Sequence, residues 1–446
     1  MPTNTYNEFV ERAVLKRLQH SPAALTDLLQ HTHSIFPDEL LKILSNMREN
    51  GQIIQTADST YRLVQRLTAK QKAALKQQAE EKIHHLMQDL HLPHCLDYEW
   101  WFDAKTHASL LDKLETKSQT NEPTHMVFLG APIFGAYCAM MNPHRKVTIL
   151  DKSKSTIDVL KKYLHNPMHQ PIVYNAEDPL PKQLIGQADF VFFDPPWYVE
   201  YYDLFAKRSL QLTHGHISTI ASILFPTLTR PQSMAERSHY FMKMTQSYKL
   251  QLVELQSDAA TYMIPYFEEK ALDQKQIRLG NWRTGDVAIF LNTGLIMPQN
   301  KAYPIEKNLW VEHVIGKVKI KIRKNAQETG YVAPQILKST DEDAVVSSVS
   351  RRSPTRKDID LWTSTHVGLK IKGWETVSMV LDGIAQNQSF DEISGTILNH
   401  FKETLNSDTV KKEIKATYNF LTQLAQASFK MTPVLLIQLK QGGKTR

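Results

Sequence analysis

Residues 189–198 read Asp-Phe-Val-Phe-Phe-Asp-Pro-Pro-Trp-Tyr, and they hold the residue types best suited to chemistry. The apolar run Phe190 to Phe193 predicts a buried strand. It stops at an acid, two prolines and two aromatics, and proline cannot continue a central strand. Open α/β sheets bind their ligands just beyond the carboxyl ends of strands. Asp194, Pro195, Pro196, Trp197 and Tyr198 are therefore expected in a cleft. A carboxylate acceptor, prolyl carbonyls outside any ladder and flat aromatic faces suit a planar or basic amine held for attack. The plainer alternative is a strand that ends at an ordinary Pro-rich turn.

The elements that must position this run lie upstream. His125 to Leu129 predicts a strand, followed by Gly130-Ala131-Pro132-Ile133-Phe134-Gly135 and a helix from Ala136. Lys146 to Leu150 predicts a second strand, ending in Asp151. Asp151 lies 21 positions after Gly130, near the spacing of about 20 between a glycine turn and a ribose-binding acid in dinucleotide-type folds. Gly130, Ala131 and Gly135 are thus cofactor-loop candidates, and Asp151 is the candidate for ribose hydroxyls. Pro171 to Tyr174 predicts a third strand, ending before Asn175-Ala176-Glu177-Asp178.

The tetrapeptide Asp194-Pro195-Pro196-Trp197 resembles motif IV of Rossmann-like amino-group methyltransferases that use S-adenosylmethionine. The resemblance runs from Thr124 to Gly294. It implies that Asp194 and the Pro195 carbonyl accept hydrogen bonds from the target amine, while Trp197 or Tyr198 stacks on the substrate ring. It also implies an adenine contact for Glu177 or Asp178. Such bonds matter because an aromatic amine's lone pair is delocalised. Pulling it toward tetrahedral geometry favours the transition state over the ground state. The chain departs from the family's glycine-rich loop, keeping only Gly130 and Gly135 around Pro132.

Composition points to an intracellular enzyme. The chain has 446 residues, 42% hydrophobic and 22% charged, room for roughly three domains at about 150 residues each. Two cysteines argue against a disulfide framework and for a reducing cytoplasm. No apolar stretch reaches membrane-spanning length, so no membrane partner is expected. A net charge of +7 leans toward an anionic partner.

The flanks are expected to be winged-helix-like. Tyr6 to Leu18, a second helix opened by Ser21-Pro22, and a third begun at Pro37-Asp38-Glu39 with Gly51 as its stop precede two short strands, Gln52–Gln55 and Tyr61–Val64, around an Ala57–Ser59 wing. The third helix carries one more acid than base over residues 38–49, which favours protein contact or dimerisation over groove reading. Residues 69–91 predict an amphipathic connector with Leu75, Ala79, Ile83, Leu86 and Leu90 in a stripe. His84, His85, His91, His94 and Cys95 at its end match no zinc spacing, so no metal is assigned and a solvated helix end is expected. Trp100, Trp101 and Phe102 could lid the cleft or pack on the sheet.

Beyond the central motif, strands are expected at Ile217–Phe225, Leu250–Leu255 and Asp286–Leu291. Tyr262 to Glu269 reads as a polar-aromatic loop whose Tyr266 and Glu268 are substrate-side candidates, and Trp282 to Gly285 as structural. Lys317 to Arg323 alternates strictly, placing four cations on one strand face. With Arg351, Arg352, Arg356 and Lys357 this suits a phosphate backbone, or else a lysine-guarded edge strand. Residues 375–428 turn helical, with a Ser389-Phe390-Asp391-Glu392 capping box. They resemble small winged-helix interaction modules, and Gln441 to Arg446 reads as a solvated tail.

The sequence thus predicts an α/β protein with a seven-stranded Rossmann-like methyltransferase domain (121–295), an N-terminal winged-helix-like domain (1–66), a helical linker (67–120), a basic β extension (296–370) and a C-terminal helical module (371–446). The expected activity is methyl transfer from S-adenosylmethionine to an amino nitrogen, with adenine N6 of nucleic acid favoured. Nucleic acid would be held through the basic C-terminal patches, and a protein partner or second copy through the winged-helix modules. The first alternative is aminopropyl transfer from decarboxylated S-adenosylmethionine, since the motif and N-terminal unit also resemble branched-chain polyamine synthases. The second is a non-catalytic interaction protein that keeps the fold.

Overall fold

The computed structural model describes residues 3–429, except 33–34, 50–51, 57–58, 64–68, 118–124, 216, 306–308, 338–345, 347, 349, 351–352 and 402–405. Gly51, most of the expected wing, Val64, Thr124, Arg351, Arg352 and the 441–446 tail lie outside the described residues. Three helices, α1 (Thr3–Leu18), α2 (Leu25–His31) and α3 (Pro37–Glu49), pack with β1 (Ala23–Ala24), β2 (Ile53–Gln55) and β3 (Thr60–Leu63). The second helix starts later than expected, because Ala23 and Ala24 first pair with Tyr61 and Thr60. Val14, Leu28, Leu40, Leu44 and Met47 form this unit's core. Its link to the rest includes a hydrogen bond from Arg12 Nη2 to the Ile217 carbonyl at 2.8 Å.

Helices α4 (Ala69–Asp89) and α5 (Ala104–Lys117) lead into the central sheet. The α4 stripe of Ala79, Ile83 and Leu86, with Leu90 just beyond, is buried as the periodicity predicts. The sheet follows as β4 (His125–Leu129), α6 (Pro132–Met141), β5 (Lys146–Asp151), α7 (Lys154–Tyr163), β6 (His169–Val173), β7 (Phe190–Phe193), α8 (Val199–Leu212) and β8 (Ser218–Leu224). It closes with α9 (Ser233–Met242), β9 (Gln251–Thr261), α10 (Tyr266–Asp273) and β10 (Thr284–Asn292). Strand order is β6-β5-β4-β7-β8-β10-β9. Pairing is parallel from β6 to β8, and β10 runs antiparallel to both its neighbours. All of β4, β7 and β8 is buried, which is why none of them alternates between apolar and charged side chains and β7 reads as an unbroken apolar run.

Two expectations fail here. The stretch Tyr262–Glu269 is not all loop, since α10 begins at Tyr266. Pro265 takes an extended N-cap conformation and Glu268 and Glu269 occupy the first turn, where acids complement the helix dipole. Strand β9 also runs six residues past Leu255, and this extension delivers Tyr262 to the end of the sheet.

The C-terminal part is a second sheet of β11 (Trp310–Ile315), β12 (Val318–Arg323), β13 (Gln335–Leu337), β14 (Leu361–Thr363) and β15 (Gly368–Lys372), followed by α11 (Trp374–Ala385), α12 (Phe390–Phe401) and α13 (Ser407–Phe429). Its order is β11-β12-β14-β15-β13. Ile320, Ile322, Leu361 and Leu369 share one core with Val377, Leu381, Ile393, Ile397 and Ile414. The boundary expected between 370 and 371 therefore cuts through a single core and through β15 itself. The Ser389 capping box forms, with Ser389 N donating to Glu392 Oε2 at 2.7 Å.

The basic strand is corrected by its position. β12 lies inside the sheet, between β11 and β14, so it is no edge strand. Its cationic face is not offered to phosphate: Lys319 and Lys321 are 1% and 9% exposed. Lys319 pairs with Glu99 at 2.6 Å and Lys321 with Asp97 at 2.6 Å. Arg323 donates to the carbonyls of Arg356 and Lys357. These ion pairs clamp the second sheet onto the segment that leads into the first. Lys317 donates to the Gln88 carbonyl, and the Leu92 N–H donates to the Lys317 carbonyl at 2.8 Å.

Candidate active site

One cavity of about 650 Å³ lies beyond the carboxyl ends of β4, β5 and β7, within the usual range of small-molecule sites. It is lined at one end by Gly130, Asp151, Lys152, Ser153 and Glu177, and at the other by Asp194, Pro195, Pro196, Trp197, Tyr198, Tyr262, Glu268 and Arg283. The segment Asp97–Trp101 runs along its wall. The structure thus brings the glycine loop, the acid after β5 and the Asp-Pro-Pro-Trp motif to a single space.

Gly130 is required by its position. It sits at φ +69°, and a Cβ there would lie 2.8 Å from the Phe205 ring and 2.9 Å from the Asp194 carbonyl oxygen. Only glycine lets the loop pass so close to the motif strand. Gly135 does not line the cavity. Its missing side chain lets α6 settle on the sheet, where a Cβ would meet Ile149 and Phe128 at 2.9 Å. Ala131 is buried as the N-cap of α6 and also stays outside the lining.

Asp151 accepts the Ser153 N–H at 2.8 Å. Burial pushes its carboxyl up to about 7, with the Ser153 N–H opposing and Glu99 adding to the rise. Glu177 lines the cavity but is already engaged, accepting the Ile305 N–H at 2.9 Å. Asp178 is exposed and outside the lining, because the turn after β6 points it to solvent while its carbonyl accepts the Tyr174 hydroxyl at 3.0 Å.

At the acceptor end, the Tyr262 hydroxyl lies 2.9 Å from each Asp194 oxygen. Burial pushes the Asp194 carboxyl up to about 8, against the Tyr262 hydrogen bond and the Arg283 charge. Burial likewise lowers Arg283. Its guanidinium is sandwiched 4.1 Å from the Trp100 ring and 4.3 Å from the Trp197 ring. Trp197 therefore has one face taken by a cation, and its ring stands at 80° to that of Tyr262. Tyr198 lines the cavity against Tyr98. Glu268 also lines it, whereas Tyr266 does not, being turned onto Lys270.

Several lining residues escaped the sequence reading. Arg283 and Tyr262 line the cavity although they read as a strand lead-in and a loop. Of the aromatic block, Trp100 and Trp101 line the cavity, while Phe102 bridges to Tyr262 and packs on Phe134 and Phe192 of the sheet domain. The expected solvated histidine cluster is also wrong at His94, which is fully buried. Its Nδ1 accepts the Leu96 N–H and its Nε2–H donates to the Trp362 carbonyl at 3.0 Å. Burial first, then Lys321, lower it to about 3.

The class defined by this fold is a mixed α/β protein whose mostly parallel seven-stranded sheet resembles Rossmann-like methyltransferases. Residues 97–263 match the family described as "Probable N6-adenine methyltransferase". Among solved structures, the fold is similar to a branched-chain polyamine synthase mutein from Thermus thermophilus, at 13% identity and TM-score 0.45, covering 67% of this chain and 90% of that one. It is also similar to a Pyrococcus horikoshii protein described provisionally as an RNA methyltransferase, at 14% identity and TM-score 0.34, covering 49% and 99%. Human N-acetylserotonin methyltransferase follows at 12% identity and TM-score 0.27, covering 65% and 93%. No curated protein matches. The family match supports a methyltransferase that uses S-adenosylmethionine. No described helix is long and apolar enough to cross a membrane.

Proposed function

We propose that this protein transfers a methyl group from S-adenosylmethionine to an amino nitrogen, with the exocyclic amine of a nucleic-acid base, adenine N6, as the acceptor. The observation that carries the reading is the placement of Asp194, held by Tyr262, in the same cavity as Gly130 and Asp151. The cofactor supplies an electrophilic sulfonium methyl. Gly130 gives it close backbone approach, and Asp151 offers an acceptor for ribose hydroxyls. Asp194 and the Pro195 carbonyl take the amine N–H bonds and aim the nitrogen at the methyl. Tyr198, which lines the cavity beside the motif, is the surface for a base to stack on. Arg230, Lys275 and the half-exposed Trp282 line the same cavity, and they would meet the flanking strand in place of Lys319 and Lys321. We read residues 1–66 as the winged-helix-like unit and its third helix as a protein contact.

One observation favours aminopropyl transfer as a second reading. Beside Asp97 and Glu99, which Lys321 and Lys319 already pair, the lining carries the further acids Asp151, Glu177, Asp194 and Glu268. A cationic amine would be welcome there. Isothermal titration of the full chain with S-adenosylmethionine and with its decarboxylated form decides between them. Preference for the first supports methyl transfer, preference for the second supports aminopropyl transfer, and binding of neither leaves an interaction protein.

A further inference from the structure

The acid after β5 has a second carboxylate beside it that comes from outside the central sheet. Glu99 lies on the wall segment and lines the same end of the cavity as Asp151 and Ser153. It is gripped from several sides. The Lys319 ammonium, from β12 of the second sheet, donates to Glu99 Oε1 at 2.6 Å, to Glu99 Oε2 at 2.8 Å and to Ser153 Oγ at 3.0 Å. The His94 N–H donates to Glu99 Oε2 at 3.0 Å. Ser153 in turn holds Asp151 through its N–H and caps α7 by accepting the Thr156 N–H. A chain of contacts therefore runs from the C-terminal sheet to the acid expected to take ribose, across 166 positions between Ser153 and Lys319.

We propose that the C-terminal sheet completes the nucleoside end of the cofactor site, with Lys319 as a positioning residue that pins Glu99 and Ser153 beside Asp151. The inference rests on the S-adenosylmethionine reading of the cavity. A buried lysine is costly to desolvate unless it is paired, and Lys319 is buried with all three donors engaged, two on Glu99 and one on Ser153. A lysine kept only for sheet stability would not need to reach across to the lining of another unit's cavity. The charges facing Asp151 come from three elements: Glu99 on the wall segment, Lys152 next in the chain and Lys319 on β12. Asp97 stands behind them, bound to Lys321 and, at 3.5 Å, to Lys152. Lys319 and Lys152 both oppose the upward push of burial on Asp151. Loss of Lys319 would leave Asp151 beside an uncompensated Glu99, so the acid would hold its proton to higher pH and lose acceptor capacity.

The test is calorimetric titration of the full chain with S-adenosylhomocysteine from pH 6 to pH 9, with thermal melts alongside. Wild-type affinity is expected to fall as pH drops through about 7. Lys319→Met is expected to move that midpoint up by about one unit, which weakens binding about fivefold at about pH 7 and about tenfold at about pH 6. Lys319→Gln keeps a donor in place without the charge, serves if the methionine variant fails to fold, and should move the midpoint the same way. Glu99→Gln combined with Lys319→Met removes both charges and should return the midpoint toward wild type. Variants that melt earlier but keep the wild-type midpoint and affinity would overturn the proposal and leave the cofactor reading standing. Wild-type protein that binds no S-adenosylhomocysteine at any pH overturns the cofactor reading, and the proposal with it.

Discussion

Replacing Tyr262 by Phe removes one hydroxyl and keeps the ring. That ring packs 4.9 Å from Phe102 and 5.7 Å from Trp197, centroid to centroid, contacts that phenylalanine can reproduce. What disappears is the donor lying 2.9 Å from both oxygens of Asp194. A hydrogen bond to a charged group contributes roughly 1.5–3 kcal/mol, and one pKa unit corresponds to about 1.36 kcal/mol. The variant should therefore lift the Asp194 carboxyl by roughly one to two units above its value of about 8. The sign follows from preference: the hydroxyl donates, so it favours the ionised acid, and its removal favours the protonated one. Infrared difference spectra across a pH titration of isotope-labelled aspartate, with Asp194→Asn as the blank, would follow the protonated carboxyl directly and need no substrate. A midpoint that stays put, or moves down, would refute the assignment of Tyr262 as the group that tunes this acid.

Three further outcomes follow from the same geometry. Asp194→Asn should melt progressively higher than wild type as pH rises from about 4 to about 8, then keep a constant gap. The folded acid binds a proton in that window (about 8 against 3.8 unfolded), so wild-type stability is lost as pH climbs; a flat difference in a melting series would contradict this. Gly130→Ala must place a side chain at φ +69° against Phe205 and Asp194, at about 1–2 kcal/mol for the conformation alone. Chemical denaturation should register a loss of at least that size, and an unchanged stability would mean the loop does not hold this conformation. Arg283→Met removes a partly buried cation from between Trp100 and Trp197. Chemical denaturation should register a loss of about 2 kcal/mol or more, and no loss would mean the sandwich does not form in solution.

The sequence made some of this site legible because its signals are local. Gly130, Asp151 and Asp194 each end a run of apolar residues, and strand ends in such sheets face the ligand space. Tyr262 gave no comparable sign: its partner Asp194 is 68 positions away, and the strand that delivers it is half exposed and irregular. The one usable hint was the helix start at Pro265 with two following glutamates, which would have shortened the supposed loop. Arg283 looked structural because its two tryptophans lie on different segments. The alternation of Lys317 to Arg323 was correctly read as a strand. Its environment was not, since alternation fixes which side chains share a face and says nothing about what covers that face. The covering acids, Asp97 and Glu99, sit more than 200 positions upstream.

That distance bears on how the molecule is made. Domains emerging from the ribosome fold largely in order of synthesis. The sheet holding Gly130, Asp151 and Asp194 is fully translated by Asn292. Lys319, Lys321 and the Trp362 carbonyl that grip the 94–99 segment come later. A nascent chain paused between these points would carry Asp97 and Glu99 without the lysines that pair with them, so the cleft gains this wall only after the motif-bearing sheet has been made.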